Sequence, residues 1–159
     1  MAATDGTLGI TSTGTAVITL VIPQLYRISG ISDFAFGTYS GSGSMTANDD
    51  ICVYSNSSNS YKIRITDNTN MTANTFAVEN TENTHQVPME LRWNSTTGTA
   101  GNVAIAYNTP LTANGANAVS SDCSSGGLSS NLQINFAQAD LQSSFATAYS
   151  STLTLLIEP

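Results

Sequence analysis

The feature that most limits what this chain can fold into is a series of short apolar runs separated by polar turns. In the strongest run, residues 15–22, one face carries Ala16, Ile18, Leu20 and Ile22. Clusters of glycine, serine and asparagine, such as residues 41–44, interrupt the runs. Alternation with a period of two, bounded by turn-forming residues, is typical of β-strands. Helix-forming residues at a spacing of 3.6 are missing, so we expect very little helix.

The number and spacing of the runs predict an all-β fold, a β-sandwich built as a single domain. Pro88 lies inside one run and cannot donate a backbone hydrogen bond, so it indicates an edge strand or a bulge there. Residues 136–148 are rich in alanine and glutamine and fit either one helical turn or a loop. The runs themselves are residues 15–22, 51–54, 61–65, 75–78, 87–93, 103–107, 132–136 and 149–157.

Composition excludes several classes of function. Charged residues make up 9% of the 159 residues, the net charge is −7, and only four lysines and arginines are present. Nucleic-acid binding depends on neutralising phosphates with cations, so we expect no nucleic-acid partner. No apolar run approaches the roughly 20 residues that a membrane span needs, so we expect no membrane insertion.

The two cysteines, Cys52 and Cys123, are too far apart in sequence to form a CxxC motif. One disulfide is the natural interpretation, and the alternative is a pair of buried, unpaired thiols. A disulfide would close a loop of roughly 70 residues and would place the protein in an oxidising compartment.

The N-terminal run admits two interpretations. Residues 7–22 form a long, uncharged stretch with apolar residues on both faces, and such a stretch requires apolar contact and backbone partners. It is either a strand of its own domain, or a segment that leaves the domain and completes the sheet of another molecule by strand addition.

Three segments give the chain a resemblance to a known family. Residues 34–41 (FAFGTYSG) match an "FG-x-Y" segment, residues 51–56 (ICVYSN) match a strand that carries a cysteine, and residues 146–155 (ATAYSSTLTL) are similar to a closing "G-x-Y-x-x-T-L-x-L" strand. The chain thus resembles the structural subunits of bacterial chaperone–usher pili, nearest to the archaic branch that includes spore-coat-U-like pilins. It departs from the pattern at Ala148, where glycine is common, and in the wide spacing of its cysteines.

The resemblance implies an immunoglobulin-like sandwich that lacks its final strand and is completed by a donor strand from the next subunit. It divides the chain into an N-terminal donor-strand extension, residues 1–22, and a pilin domain, residues 23–159. It implies related pilin subunits in a head-to-tail filament, a periplasmic chaperone and an outer-membrane usher as partners, and passage through the periplasm to a pilus on the cell surface, where the subunit serves adhesion or biofilm formation. Carried onto this sequence, the donor residues are Leu8, Ile10, Ala16, Ile18, Leu20 and Ile22.

Candidate catalytic residues are few. Asp49 and Asp50 are the only adjacent carboxylates and fit a polar turn, and the single histidine, His85, fits an exposed loop. We therefore expect no enzyme activity, no metal site and no cofactor. The rival function is a self-contained secreted carbohydrate-binding module, a lectin-like adhesin. In that case Trp93 would stack on a sugar, although its alternation with Leu91 favours a place in the core.

Overall fold

The computed structural model describes residues 2–69 and 74–159. Within them the chain forms eleven strands and one short helix. The elements are β1 (Tyr26–Ser29), β2 (Met45–Ser55), β3 (Tyr61–Asp67), β4 (Ala77–Asn80), β5 (Gln86–Pro88), β6 (Glu90–Asn94), β7 (Val103–Ala104), β8 (Leu111–Ala113), β9 (Ser130–Phe136), α1 (Gln138–Ser143), β10 (Tyr149–Ser150) and β11 (Leu153–Glu158).

The strands form three antiparallel sheets. The largest has the order β1-β2-β9-β6-β7, and the two smaller sheets have the orders β10-β4-β5 and β11-β3-β8. Each strand pair between neighbours is antiparallel. The predicted all-β class is confirmed.

The sheets form because alternate side chains in the runs are apolar. On β3, Tyr61, Ile63 and Ile65 are buried, whereas Lys62 points to solvent. On β6, Trp93 is only 1% exposed. The neighbouring residues of β6 on the opposite face form an exposed ion pair. Such alternation is typical of a sheet with one face on the core and the other in solvent. It confirms that Trp93 packs in the core.

All three sheets contribute to one apolar core. Its members come from strands far apart in sequence. The buried members are Ile51, Val53, Tyr61, Ile63, Ile65, Phe76, Val87, Met89, Leu91, Trp93, Ile105, Ala113, Leu132, Ile134 and Phe136.

A short polar network lies inside this core. The Tyr61 hydroxyl lies 2.7 Å from the Ser130 hydroxyl and accepts a hydrogen bond from the Trp93 indole nitrogen at 3.2 Å. Burial raises the pKa of the Tyr61 phenol above its ordinary value of 10.0, although both hydrogen bonds oppose the shift. The network therefore keeps three buried polar side chains satisfied in an apolar layer.

The predicted disulfide is present. Cys52 on β2 is bonded to Cys123 in the loop before β9, 71 residues later. Asn117, also buried, holds the same loop: its side-chain nitrogen donates to the carbonyls of Ser125 and Gly127. The bond and the amide together fix a long loop against the largest sheet.

The structure also corrects several boundaries. Residues 15–22 form no strand, and the run 103–107 contributes only the two-residue β7. Asp49 and Asp50 lie inside β2 rather than in a turn before it. Pro88 does end an edge strand, β5, as its missing N–H predicts. Part of the segment 136–148 is helical, as α1.

Replacing both cysteines by alanine should lower the free energy of unfolding by about 4 kcal/mol, because the 71-residue loop is then free in the unfolded chain. Urea denaturation of the oxidised protein and of the Cys52→Ala/Cys123→Ala variant measures the difference. A loss below about 1 kcal/mol would show that the loop is held without the bond.

Tyr61 should make stability fall above about pH 10. The folded state has the raised pKa, so the unfolded chain releases its proton first, and stability is lost as pH rises from 10.0 through the folded pKa. Tyr61→Phe should remove this share of the pH dependence and cost about 1–3 kcal/mol at neutral pH, because Ser130 and Trp93 lose their partner. Urea denaturation of both proteins between pH 7 and 11 tests this, and an unchanged alkaline slope would refute it.

Candidate functional site

The N-terminal segment lies outside the body of the domain. Every residue from 2 to 25 is exposed. All six predicted donor residues, Leu8, Ile10, Ala16, Ile18, Leu20 and Ile22, are among them. A continuous apolar stretch in water is unfavourable, and exposed patches of this kind mark surfaces that bind a partner.

One backbone contact divides this segment into two parts. Thr4 and Thr15 exchange hydrogen bonds between their backbone groups at 3.0 and 2.9 Å, and their hydroxyls lie 2.6 Å apart. This pair closes a loop that contains Leu8 and Ile10. Residues 16–22 follow the loop, have no regular secondary structure and, within the described residues, make no hydrogen bond. We name residues 16–22 the free segment.

Two strands of the body have an unpaired edge next to each other. β1 lies at one end of the largest sheet and β11 at one end of the β11-β3-β8 sheet, and the two strands are neighbours in space. Within the described residues, no backbone group bonds to the outer edge of either strand. We name the two neighbouring outer edges of β1 and β11 the open seam.

The open seam is apolar. On β11, Leu153, Leu155 and Ile157 share the inner face, are only partly buried and pack against the core. On β1, Tyr26 and Ile28 have the same partly buried state. An unpaired edge with incompletely covered core residues is a template for an additional strand. Three inner positions at i, i+2 and i+4 on β11 match the alternation of an extended peptide.

The charges near β11 lie on its other face. Glu158 accepts a hydrogen bond from Arg64 of β3 at 3.0 Å, and Lys62 donates to the carbonyl of Pro159 at 2.6 Å. The apolar inner face of the seam is thus free of charged side chains on β11. An uncharged strand fits it without the cost of burying an unpaired charge.

Asn56 holds the chain between the free segment and β1 against the body. Asn56, just after β2, accepts from the backbone N–H of Leu25 at 2.8 Å and donates to the carbonyl of Pro23 at 3.0 Å. Its own N–H donates to the Leu25 carbonyl at 3.3 Å. Gln24 donates to the Tyr26 hydroxyl, two residues on. Side chains two apart share a face only in an extended chain, so residues 24–26 continue the line of β1.

The polar residues considered for catalysis have structural roles. The Asp50 carboxylate accepts from the N–H of Gly98 and the side chain of Asn131, both at 2.7 Å. Asp49 accepts from the N–H of Ser32 at 2.7 Å. These hydrogen bonds fix loops against β2 and β9, which gives both carboxylates a structural role.

His85 is partly buried rather than fully exposed, because its ring stacks on Phe145 with centroids 3.9 Å apart. Hydrogen bonds from the Ser124 hydroxyl and N–H lower the pKa of the exposed Asp122 carboxyl. In the part of the chain that the structure describes, no three histidine, cysteine, aspartate or glutamate side chains are grouped to hold a metal ion.

Sequence reasoning did not find the open seam. The alternation of residues 153–157 was visible and predicted a strand, but nothing in one sequence says that an edge stays unpaired. In the sequence, Asn56 lies in a polar turn, where asparagine is common. Its hydrogen bonds to Pro23 and Leu25 are visible only in the structure.

Comparison with solved structures supports the fold. A chaperone–tip adhesin complex, described as vital for synergistic activation of CFA/I fimbriae biogenesis, is similar with a TM-score of 0.62 and 18% identity, covering 84% of this chain and 41% of that one. CfaE, the adhesive subunit of CFA/I fimbria of enterotoxigenic Escherichia coli, is similar with a TM-score of 0.51 and 16% identity, covering 74% and 37%. The G168D mutant of that adhesin gives 0.52 and 16%, covering 76% and 37%.

These similarities establish an all-β fold like that of fimbrial proteins, and the chain spans less than half the length of the proteins it matches. No protein-family model matches the sequence, and no curated protein is significantly similar to it. Among residues 2–69 and 74–159, no helix has the length and hydrophobicity needed to cross a membrane.

Deleting residues 2–22 should leave the free energy of unfolding of the monomeric body unchanged to within about 0.5 kcal/mol, because these residues are exposed and make no hydrogen bond to the described body. Deleting residues 2–25 is the matched control. It also removes the hydrogen bonds between Leu25 and Asn56 and should cost about 1 kcal/mol more. Thermal and urea unfolding of both variants measure this. A large loss in the shorter deletion would mean that the segment packs on its own domain.

Proposed function

We propose that this chain is a structural subunit of a bacterial surface pilus or fimbria that polymerises by donor-strand exchange. The observation that carries the proposal is the presence of two complementary halves on one molecule. The free segment offers an uncharged, alternating stretch without hydrogen-bond partners among the described residues, and the open seam offers two unpaired edges with partly buried apolar side chains. Residues 1–22 are then the donor extension and residues 23–159 the receiving domain.

The energetics favour joining the two halves. Each of Ile18, Leu20 and Ile22, on passing from water into the seam, contributes about 1.5–3 kcal/mol by burial of its side chain. The inserted backbone also satisfies N–H and C=O groups along the edges of β1 and β11. Pairing supplies affinity, and pockets for alternate side chains supply specificity. The inserting face is that of Ala16, Ile18, Leu20 and Ile22, and Leu8 and Ile10 extend the interface beyond the Thr4–Thr15 pair.

Such a contact generates a filament. The donor and the receiving seam are different surfaces of the same chain, so each added subunit leaves one seam and one free segment unused. Growth continues without closure. The filament accounts for an all-β body whose surface is mostly uncharged, and it serves adhesion or biofilm formation at the cell surface.

The open seam requires protection before assembly, because an exposed apolar edge aggregates. We infer a periplasmic chaperone that lends a strand, and an outer-membrane usher at which the next subunit replaces it. One similar solved structure is a chaperone–tip adhesin complex, which supports the first partner. The Cys52–Cys123 disulfide supports passage through an oxidising compartment such as the periplasm.

The sequence argument for a carbohydrate-binding module was an exposed Trp93, and the structure does not support it. Trp93 is buried in the core and donates its indole N–H to Tyr61, so it cannot stack on a sugar. The proposed role is non-enzymatic, since Asp49, Asp50 and Asp122 all serve loop structure.

Leu20→Asp should abolish assembly, whereas Val21→Asp should leave it largely intact. The two residues are adjacent and similarly exposed, at 79% and 83%, but they lie on opposite faces of an extended strand. A charge at position 20 would enter the apolar seam, and one at position 21 would face solvent. The measurement is an unheated SDS gel of each secreted subunit produced with its assembly partners.

The unmodified chain should give a ladder of multimers that collapses on boiling to the 16.6 kDa subunit. Equal loss in both variants would show that the inserted face is not the one assigned. A monomer band for the unmodified chain in unheated and boiled lanes alike would reject polymerisation by strand exchange.

A further inference from the structure

A subunit that has both halves of a strand-exchange site has a competing option, because its own free segment could fill its own seam. Only residues 23–25 separate the free segment from β1. A turn of three residues is long enough for a hairpin, so chain length alone does not prevent this closed monomer. Something else must keep the segment available to a neighbour.

We propose that Asn56 is a positioning residue that directs the donor segment away from the chain's own seam and thereby favours assembly between subunits. This inference rests on the proposed function. The Leu25–Asn56 pair continues the register of Tyr26 with Ser55 one step beyond β1. The Asn56 side chain then reaches two residues further back, to the carbonyl of Pro23. The chain is therefore held straight at the very residues where a hairpin would have to turn.

Folding back would break these contacts. A reversal at residues 23–25 swings the Pro23 carbonyl away from the Asn56 side chain and moves the Leu25 N–H, which donates to the same amide at 2.8 Å. It would also separate Gln24 from the Tyr26 hydroxyl, which share a face only in an extended chain. The closed monomer would therefore lose the hydrogen bonds of Asn56 to Pro23 and Leu25 and the hydrogen bond between Gln24 and Tyr26.

Strand direction gives a second reason. β1 starts at the end of the domain where the turn after β2 lies, and β11 finishes at the same end, because Glu158 pairs with Lys62 just after that turn. A segment folded back through three residues must run antiparallel to β1 and parallel to β11. β11 offers six residues and β1 only four. A neighbour's segment is free to run antiparallel to the longer strand, and antiparallel pairing is the more stable per residue.

The test compares three variants of the full-length chain. Asn56→Ala removes both side-chain hydrogen bonds, and Asn56→Asp keeps the acceptor for Leu25 but loses the donor to Pro23. Asn59→Ala is the matched control, because Asn59 lies in the same turn and, among the described residues, its side chain bonds to the N–H of Gly115 and to neither Pro23 nor Leu25. Tryptophan fluorescence of the buried Trp93 verifies that each variant is folded.

Two readouts are taken: the ratio of monomer to SDS-resistant multimer, and the rate at which proteinase K cleaves the monomer within residues 16–22. Asn56→Ala should raise the monomer-to-multimer ratio and slow the cleavage, each roughly tenfold, because the segment then occupies its own seam. Asn56→Asp should lie between, and Asn59→Ala should match the unmodified chain.

Unchanged ratio and cleavage rate in a folded Asn56→Ala protein would overturn the inference. An equal change in Asn59→Ala would also overturn it, since the effect would then belong to the turn as a whole. If the unmodified chain forms no multimers, the proposed function fails. The cleavage rate of the monomers still decides whether Asn56 keeps the segment out of the seam.

Discussion

The unpaired outer edge of β11 is the constraint on which the rest of this structure depends. β11 is bonded to β3 along six residues on one side and to no strand on the other within the described chain. Its inner residues Leu153, Leu155 and Ile157 are therefore only partly covered. A sandwich normally closes such an edge with one more strand, because unpaired backbone and half-exposed core residues are costly together. Here the apolar stretch that could close it, residues 16–22, precedes β1 in the sequence and is exposed to water.

Few residues of this chain are charged, so many of its contacts between strands are made by uncharged polar side chains. On the outer face of the largest sheet, polar side chains link β2 to β9, and an exposed ion pair joins Arg92 to Glu90 on β6. Asn131 donates to the side chains of Asn48 and Asp50, and Thr46 donates to Asn135. Exposed ion pairs contribute little and weaken in salt, so the hydrogen bonds between β2 and β9 depend less on salt concentration than ion pairs there would.

Much of the fold was predictable from sequence, because alternation is a local property. The runs containing Ile63, Leu91 and Ile134 became strands with the expected inner faces, and Pro88 came to the end of an edge strand. The largest failure has a clear cause. Residues 15–22 have the strongest alternation in the chain but form no strand, because a strand needs a partner and alternation does not supply one.

The site was only half predictable for the same reason. The missing charge and two-residue period marked the N-terminal stretch as unusual, and the resemblance to pilins implied the donor residues in it, which stay a prediction. The open seam and the contacts of Asn56 depend on which edges remain unpaired and on a hydrogen bond between residues 31 positions apart. These are properties of the three-dimensional arrangement that no short-range pattern carries.

The central claim is that the seam of one molecule receives the N-terminal segment of another, and an isotope-coded cross-link tests it most directly. A photoreactive amino acid replaces Ile18 in unlabelled subunits, which are co-assembled with ¹⁵N-labelled subunits, irradiated and mapped by mass spectrometry. The account predicts cross-links from position 18 to peptides of β1 or β11, with a mixed isotope pattern that places donor and seam on different chains. Cross-links confined to one isotope in every pair, or directed to other surfaces, would contradict it.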